Sequence, residues 1–294
     1  MKKILRNFCN GLAFGITETV PGVSGGTIAL ILGFYFELIE TINHFSQNMR
    51  KHLQFLIPLV LGIAAGVLLF SSLIHFLLAN YSFPTMLFFI GLIAGIIPHI
   101  YSKVKERRFK PAEMALVAVP FAALVALSFL KSGAPALNPE EAIQTIGIPF
   151  MVFIFFAGMA AAAALVIPGI SGSFVLLLLG IYPLIIFSVS SIRVFLADIA
   201  NTALLLNICK VLIPLATGVI IGGLSMVRLI GKLLKNYYRT TYLIILGIMP
   251  GSVCALFKDP IVYESGISAA IIAAGILTFC LGCVLSFTIG KKRL

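Results

Sequence analysis

Six apolar runs, at roughly 53–79, 85–101, 113–130, 204–226, 241–257 and 267–289, set the solvent in which this chain must fold. Each has at least the roughly 17 residues that the shortest membrane-spanning helices use. Lipid offers no partner for an open backbone, so uninterrupted runs of this kind predict helices. The chain is 60% hydrophobic and 11% charged with a mean hydropathy of +1.12, which excludes a water-soluble globule. An all-α polytopic membrane protein is therefore expected. Two further apolar regions, 11–42 and 148–189, are each cut by a helix-breaking motif: "PGVSGGT" at 21–27 and "PGISGSF" at 168–174.

The formal charge of +11 is concentrated at Lys2, Lys3 and Arg6, at Arg50 and Lys51, from Lys103 through Arg107 and Arg108 to Lys110, from Arg228 to Arg239, and at Lys291, Lys292 and Arg293. These short segments flank the spans, which is the positive-inside pattern; the expected partner is the bilayer, with no nucleic acid. If each interrupted region enters and returns on one side, every basic cluster lies in the cytoplasm with both termini, at a bacterial inner membrane. Loops 80–84, 131–146, 188–203 and 258–266 then lie outside, with Lys131, Arg193 and Lys258 as their cations. Both regions thus read as hairpins, either re-entrant or crossing twice. The start "MKKILRN" lacks a cleavage site after it and reads as retained. Cys9, Cys209, Cys254, Cys280 and Cys283 are scattered through apolar sequence, and His44, His52, His75 and His99 show no ligand spacing, so neither metal nor redox chemistry is expected.

The two motifs belong to a duplication. Pro21, Gly22, Ser24, Gly25, Gly33 and Tyr35 match Pro168, Gly169, Ser171, Gly172, Gly180 and Tyr182 at an offset of 147. From "IPLVLG" at 57–62 and "IPLATG" at 213–218 the offset is 156, and it holds through Gly66/Gly222, Asn80/Asn236, Tyr81/Tyr237 and Gly91/Gly247. The expected organisation is a first repeat over 1–146 (hairpin 11–42 plus three spans) and a second over 147–294 (hairpin 148–189 plus three spans), in one membrane domain. A hairpin and three spans give an odd number of crossings, so the copies would be inverted-topology repeats, the architecture of secondary transporters with midplane sites at broken helices.

A helix restarting after Pro-Gly at membrane depth presents free N–H groups and a positive dipole end. Ser24, Gly25, Gly26 and Thr27, with Ser171, Gly172 and Ser173, add hydroxyls and close backbone approach, an arrangement suited to a phosphate. A pair of Pro/Gly kinks with serines bonded back to the helix would give the same pattern. Glu18, with Thr17 beside it, is a carboxylic acid at membrane depth and a candidate for proton coupling; a capping role at the break is the alternative. Glu37 and Glu40 read as solvated. Arg193 and Lys210 are the cations nearest the second hairpin and could draw in a phosphate, or simply snorkel.

"GLAFGITETVPGVSGGT", "IPGISGS" and the "GFYFELI"/"GIYPLII" tails together resemble the bacterial polyprenyl-phosphate transporter family, across essentially the whole chain. The resemblance implies movement of undecaprenyl phosphate, the lipid carrier of cell-wall precursors, across the cytoplasmic membrane. A more distant likeness is to undecaprenyl pyrophosphate phosphatases. Thr17, Glu18, Pro21 and Ser24 match their first motif, but Phe14 stands for its first glutamate, Thr27 for its histidine and Gly172 for the arginine of its second motif. Hydrolysis needs those groups, so the expectation is a transporter rather than an enzyme. Its headgroup cradle would be Ser24–Thr27 and Ser171–Ser173. No cofactor is expected, and with no Walker motif any driving force would be a proton or ion gradient. The alternatives are a phosphatase-like enzyme, a small-anion channel and a structural membrane subunit.

Overall fold

The computed structural model describes residues 2–20, 22–105, 109–130, 142–143, 146–264, 266 and 268–293; Pro21, Arg107, Arg108 and Lys131, invoked above, lie outside them. Among the described residues the chain is helical throughout, without strands. The helices are α1 (Lys2–Glu18), α2 (Gly25–Ile31), α3 (Tyr35–Asn43), α4 (Met49–Ser102), α5 (Pro111–Leu130), α6 (Ile148–Val166), α7 (Gly172–Leu178), α8 (Tyr182–Ala197), α9 (Thr202–Asn236), α10 (Tyr238–Phe257) and α11 (Ala269–Arg293). Six of them, α4, α5, α6, α9, α10 and α11, are long and apolar enough to cross a membrane, and the chain is a multi-pass membrane protein. The 54-residue α4 is bent at Tyr81 (φ −139°, ψ 45°) into two arms, which correspond to the expected spans 53–79 and 85–101.

Contacts divide the chain into one unit of Met1–Phe129, Ile167–Ile170 and Arg228–Leu294 and another of Leu130–Val166 and Ser171–Val227. In the first unit, α1 lies on the first arm of α4 along small residues. A Cβ on Gly11 or Gly15 would strike the backbone of Leu59 or Ile63, and one on Gly62 or Gly66 would strike the carbonyls of Phe8 or Leu12. Lipid tails are as apolar as the side chains, so such close approach supplies the packing energy that hydrophobic burial gives in water. The second arm of α4 takes α11 in the same way, through Gly91, Gly95 and Gly282, and the Thr278 hydroxyl donates to the Pro84 carbonyl at 2.7 Å. Helix α10 takes α5, with Gly247 against the Val117 carbonyl. It is the most enclosed span: 56% of its apolar window is buried, against 11–33% for the other five.

In the second unit α9 lies on α6, with Gly218 and Gly222 against the Phe155 and Met159 carbonyls and Gly158 against Leu215. Ile154, Ala157, Ile181, Leu184 and Val211 form its core. These glycines stand at the same offsets as the motifs: Gly11 and Gly158 differ by 147, Gly62 and Gly218 by 156. Tyr237, which ends α9 and starts α10, has φ −133° and ψ 45°, nearly the dihedrals of Tyr81.

Several sequence-based boundaries change. Helix α1 begins at Lys2, well before residue 11, because its polar first turns carry the charged face of an amphipathic helix. The expected loops at 80–84 and 228–240 are helix apart from a break at each tyrosine, and the expected loop at 188–203 is helix as far as Ala197, which puts Arg193 on α8. The segments before Tyr81 and Asp198 hold no glycine or proline stop where the loop was expected to begin, and before Tyr237 the single glycine, Gly231, stays within the helix, packed against Asn43. Each interrupted region contains three helices instead of two limbs.

Candidate anion site at the broken helices

The two interruptions have one backbone. Gly22 and Gly169 take φ of 81° and 95°, a left-handed conformation that side-chain-bearing residues rarely adopt, and each turn is closed by an i to i+3 bond, Val23 to Val20 and Ile170 to Ile167, both 3.3 Å. Ser24 (φ −97°, ψ 125°) and Ser171 (φ −92°, ψ 135°) precede the seven-residue helices α2 and α7. Each short helix ends in a Schellman cap on Gly33 or Gly180, with the N–H of Phe34 or Ile181 bonded five residues back to Ala29 or Leu176. The next helix then leaves at 111° in the first region and 112° in the second.

At the first break, the Gly25 N–H at the start of α2 donates to Glu18 Oε1 at 3.0 Å. A Cβ on Gly25 would collide with that oxygen and with the Phe14 ring, so glycine is what lets the carboxylate reach the helix end. The Ser24 hydroxyl is 1% exposed and has no hydrogen-bond partner. Thr27, fully buried, accepts the Gly169 N–H at 2.8 Å, which ties the first motif to the turn of the second across 142 residues. The Thr17 hydroxyl is bonded back to the Phe14 carbonyl at 2.7 Å, and Gly25 and Gly26 are buried in the first turn of α2.

Ser171–Ser173 lie in the second unit. The Ser171 and Ser173 hydroxyls share a hydrogen bond of 2.7 Å, and Gly172 packs on the Ala161 carbonyl. The position equivalent to Glu18 at the 147 offset is Leu165. Arg193 is exposed on α8 and Lys210 half-buried on α9; among the described residues neither forms an ion pair, and no hydrogen bond joins either to Ser171–Ser173.

Sequence reasoning missed the support behind these turns. One stripe of α10 backs both: a Cβ on Gly169 would come within 2.7 Å of Ile248 and 3.5 Å of the Ser252 hydroxyl, and one on Gly22 within 2.7 Å of Leu256. Ile248, Ser252 and Leu256 stand at i, i+4 and i+8, a signal present in the sequence but indistinguishable there from lipid-facing residues. The arrangement holds a left-handed glycine turn, an unpartnered buried hydroxyl and a carboxylate on a helix end together at one place. Chemically it can accept a proton at Glu18 and can donate hydrogen bonds from Ser24 and the Gly25 N–H; among the described residues no cluster of His, Cys, Asp and Glu could hold a metal.

Residues 14–270 match the undecaprenyl phosphate translocase-like family. The chain is 31% identical to a polyprenyl-phosphate transporter of Staphylococcus aureus over 97% of its own length and 95% of that protein's. It is 30% identical to a polyprenyl-phosphate transporter of Vibrio cholerae over 84% of its own length and 76% of that protein's. No solved structure matches it. The chain thus belongs to the undecaprenyl phosphate translocase-like family, as its motifs lead one to expect.

Proposed function

We propose that this protein carries undecaprenyl phosphate from the outer to the inner leaflet of the bacterial cytoplasmic membrane, returning the lipid carrier to cell-wall synthesis, with its termini in the cytoplasm. The observation that carries the reading is the pair of helix breaks with matching dihedrals inside apolar sequence, one of which keeps a fully buried serine hydroxyl without a partner. Buried hydroxyls are nearly always bonded, so an orphan at a helix start suits a ligand oxygen. A bare phosphate cannot cross hydrocarbon without a path that replaces its water. The prenyl tail stays in lipid.

The headgroup contacts assigned here are Ser24, Gly25, Gly26 and Thr27 from the first repeat (1–146) and Ser171, Gly172 and Ser173 from the second (147–294), the copies being inverted. Glu18 already occupies the Gly25 N–H, and two anions cannot share one donor at low dielectric. Phosphate entry therefore requires Glu18 to take a proton or swing away, and its return to the helix end follows release. That competition couples a proton to the lipid, with Thr17 beside it. Arg193 and Lys210 are assigned the role of drawing the headgroup towards the second motif. Transport without cleavage follows from Phe14, Thr27 and Gly172 standing where a phosphatase keeps its reactive set.

The test is flux of a labelled polyprenyl phosphate in proteoliposomes of the purified protein, with released phosphate assayed in parallel. Flux without hydrolysis is expected; hydrolysis of a lipid pyrophosphate, or passage of inorganic phosphate alone, replaces the reading with the enzyme or the channel. Single cysteines at 48, 106 and 236 should label from the cytoplasm and at 82, 138 and 262 from outside; labelling of 106 from outside defeats the inverted topology.

A further inference from the structure

A cavity of about 690 Å³ lies where α3, the end of α4, the end of α9 and the start of α10 meet, and it contains no residue of the Ser24–Thr27 stretch. Its wall carries Lys103, Arg228, Lys232 and Lys235 against a single carboxylate, Glu40. Arg228, Lys232 and Lys235 stand at i, i+4 and i+7 on the last turns of α9, so they form one stripe. Like charges at that spacing oppose helix formation unless an anion answers them. Among the described residues these three make no ion pair. The fourth cation of the same segment behaves differently: Arg239 clamps Glu113 through two bonds of 2.9 and 3.2 Å and also donates to the Val104 carbonyl. Phe36, Tyr238 and Tyr242 give the cavity an aromatic floor. Tyr242 stacks on Phe36 with ring centroids 6.0 Å apart and meets Tyr238 at 4.5 Å. A Cβ on Gly231 would strike the Asn43 amide, so α9 is drawn close to α3 and closes one side.

We propose that this cavity is a second headgroup site, which takes the phosphate monoester of an isoprenoid chain on the membrane face that carries the basic segments. The proposal rests on the transport reading above. Lys and Arg answer the charge and the three acceptor oxygens of a monoester, and the aromatic floor accommodates the first apolar isoprene units, which free phosphate lacks. The cations belong to one copy of the duplication only: at the 156 offset Arg228, Lys232 and Lys235 correspond to Ser72, Phe76 and Ala79. A transporter that releases its lipid on one side gains from a resting site on that side alone, where the surplus of positive charge raises the local concentration of the anion.

The experiment uses the full chain in nanodiscs and a farnesyl phosphate carrying a diazirine at the end of its chain, with adducts mapped by peptide mass spectrometry. Adducts should fall in 33–44 and 228–242, and the Arg228→Gln/Lys232→Gln variant should lower their yield about tenfold or more. Gly231→Leu, which keeps every charge and fills the wall, should lower it as well. Arg50→Gln/Lys51→Gln, which removes two cations from another basic segment, should leave it unchanged. Unlabelled farnesyl phosphate should compete, and farnesol, inorganic phosphate or phosphatidylglycerol at the same concentration should not. Adducts confined to other segments, a yield unaltered in the double glutamine variant, an equal loss in the Arg50/Lys51 control, or equal competition by inorganic phosphate or phosphatidylglycerol overturns the proposal. Flux in proteoliposomes separates the two readings. Adducts in the cavity from a protein that moves no polyprenyl phosphate defeat transport, whereas normal flux with no adducts in the cavity defeats only this site.

Discussion

At the first helix break a carboxylate, Glu18, sits on the opening N–H of α2, and a buried serine beside it has no partner; at the second, Leu165 stands in the carboxylate's place and Ser171 and Ser173 satisfy each other. The backbones differ by a degree in their exit angle. Leading into them, α1 carries Lys2, Lys3, Arg6, Asn7 and Asn10, whereas α6 is apolar from Ile148 to Val166. The shared motif spacing thus goes with where the chain turns, through glycine and helix-capping geometry that depends on backbone alone. What each turn does depends on two or three side chains, and only the first copy holds a group that can change its charge.

The strongest way to break this comparison is at the backbone the two copies share. Gly169→Val and Gly22→Val each force a β-branched residue to a positive φ and drive a side chain into α10, where 2.7 Å is already too close for the Cβ alone. We expect a loss of about 3 kcal/mol or more in each, seen as a lower thermal unfolding midpoint in detergent. A large loss at one turn and none at the other would show that the copies are not equivalent scaffolds.

The next effect separates the copies chemically. Glu18→Gln keeps the hydrogen-bond geometry but cannot change charge. Transport by that variant should lose its dependence on an imposed pH gradient, while Leu165→Gln retains it; the measurement is lipid-phosphate flux with and without the gradient. If the glutamine variant keeps the dependence, Glu18 is a helix cap only.

The smallest effect has opposite signs in the two motifs. Ser24→Ala removes an unsatisfied buried hydroxyl and should raise stability by about 1 kcal/mol, whereas Ser171→Ala leaves Ser173 without its partner and should cost about 1 kcal/mol. Thermal midpoints of the two variants read this directly. Flux should fall in the alanine variant at 24 even though the fold is more stable, and Leu at either serine should abolish it.

The spans and both helix breaks were legible because each rests on a local signal: an apolar run or a Pro-Gly pair. The bond from Gly169 to Thr27 and the α10 stripe behind the turns were not, because partners 142 or 79 residues apart leave no trace in either segment alone. The basic segment 228–239 was legible as charge, but the division of labour among its four cations was not. Three of its cations face a cavity and the fourth, Arg239, is spent on Glu113. Glu18 was legible as an oddity, but its seat on Gly25 needed the chain to double back over seven residues.

The pairing of α4 with α11, and of α10 with α5, has a consequence for how the molecule is made. The second arm of α4 leaves the ribosome 188 residues before the Phe279 and Cys283 carbonyls that Gly91 and Gly95 press against (279 − 91 and 283 − 95). Until then Gly91 and Gly95 present a bare groove to lipid or to whatever insertion factor shields it, and α5 likewise waits for α10. Neither half can therefore mature alone, and a chain stalled before residue 269 should be recognised as unfinished by membrane quality control even though most of its spans are already in place.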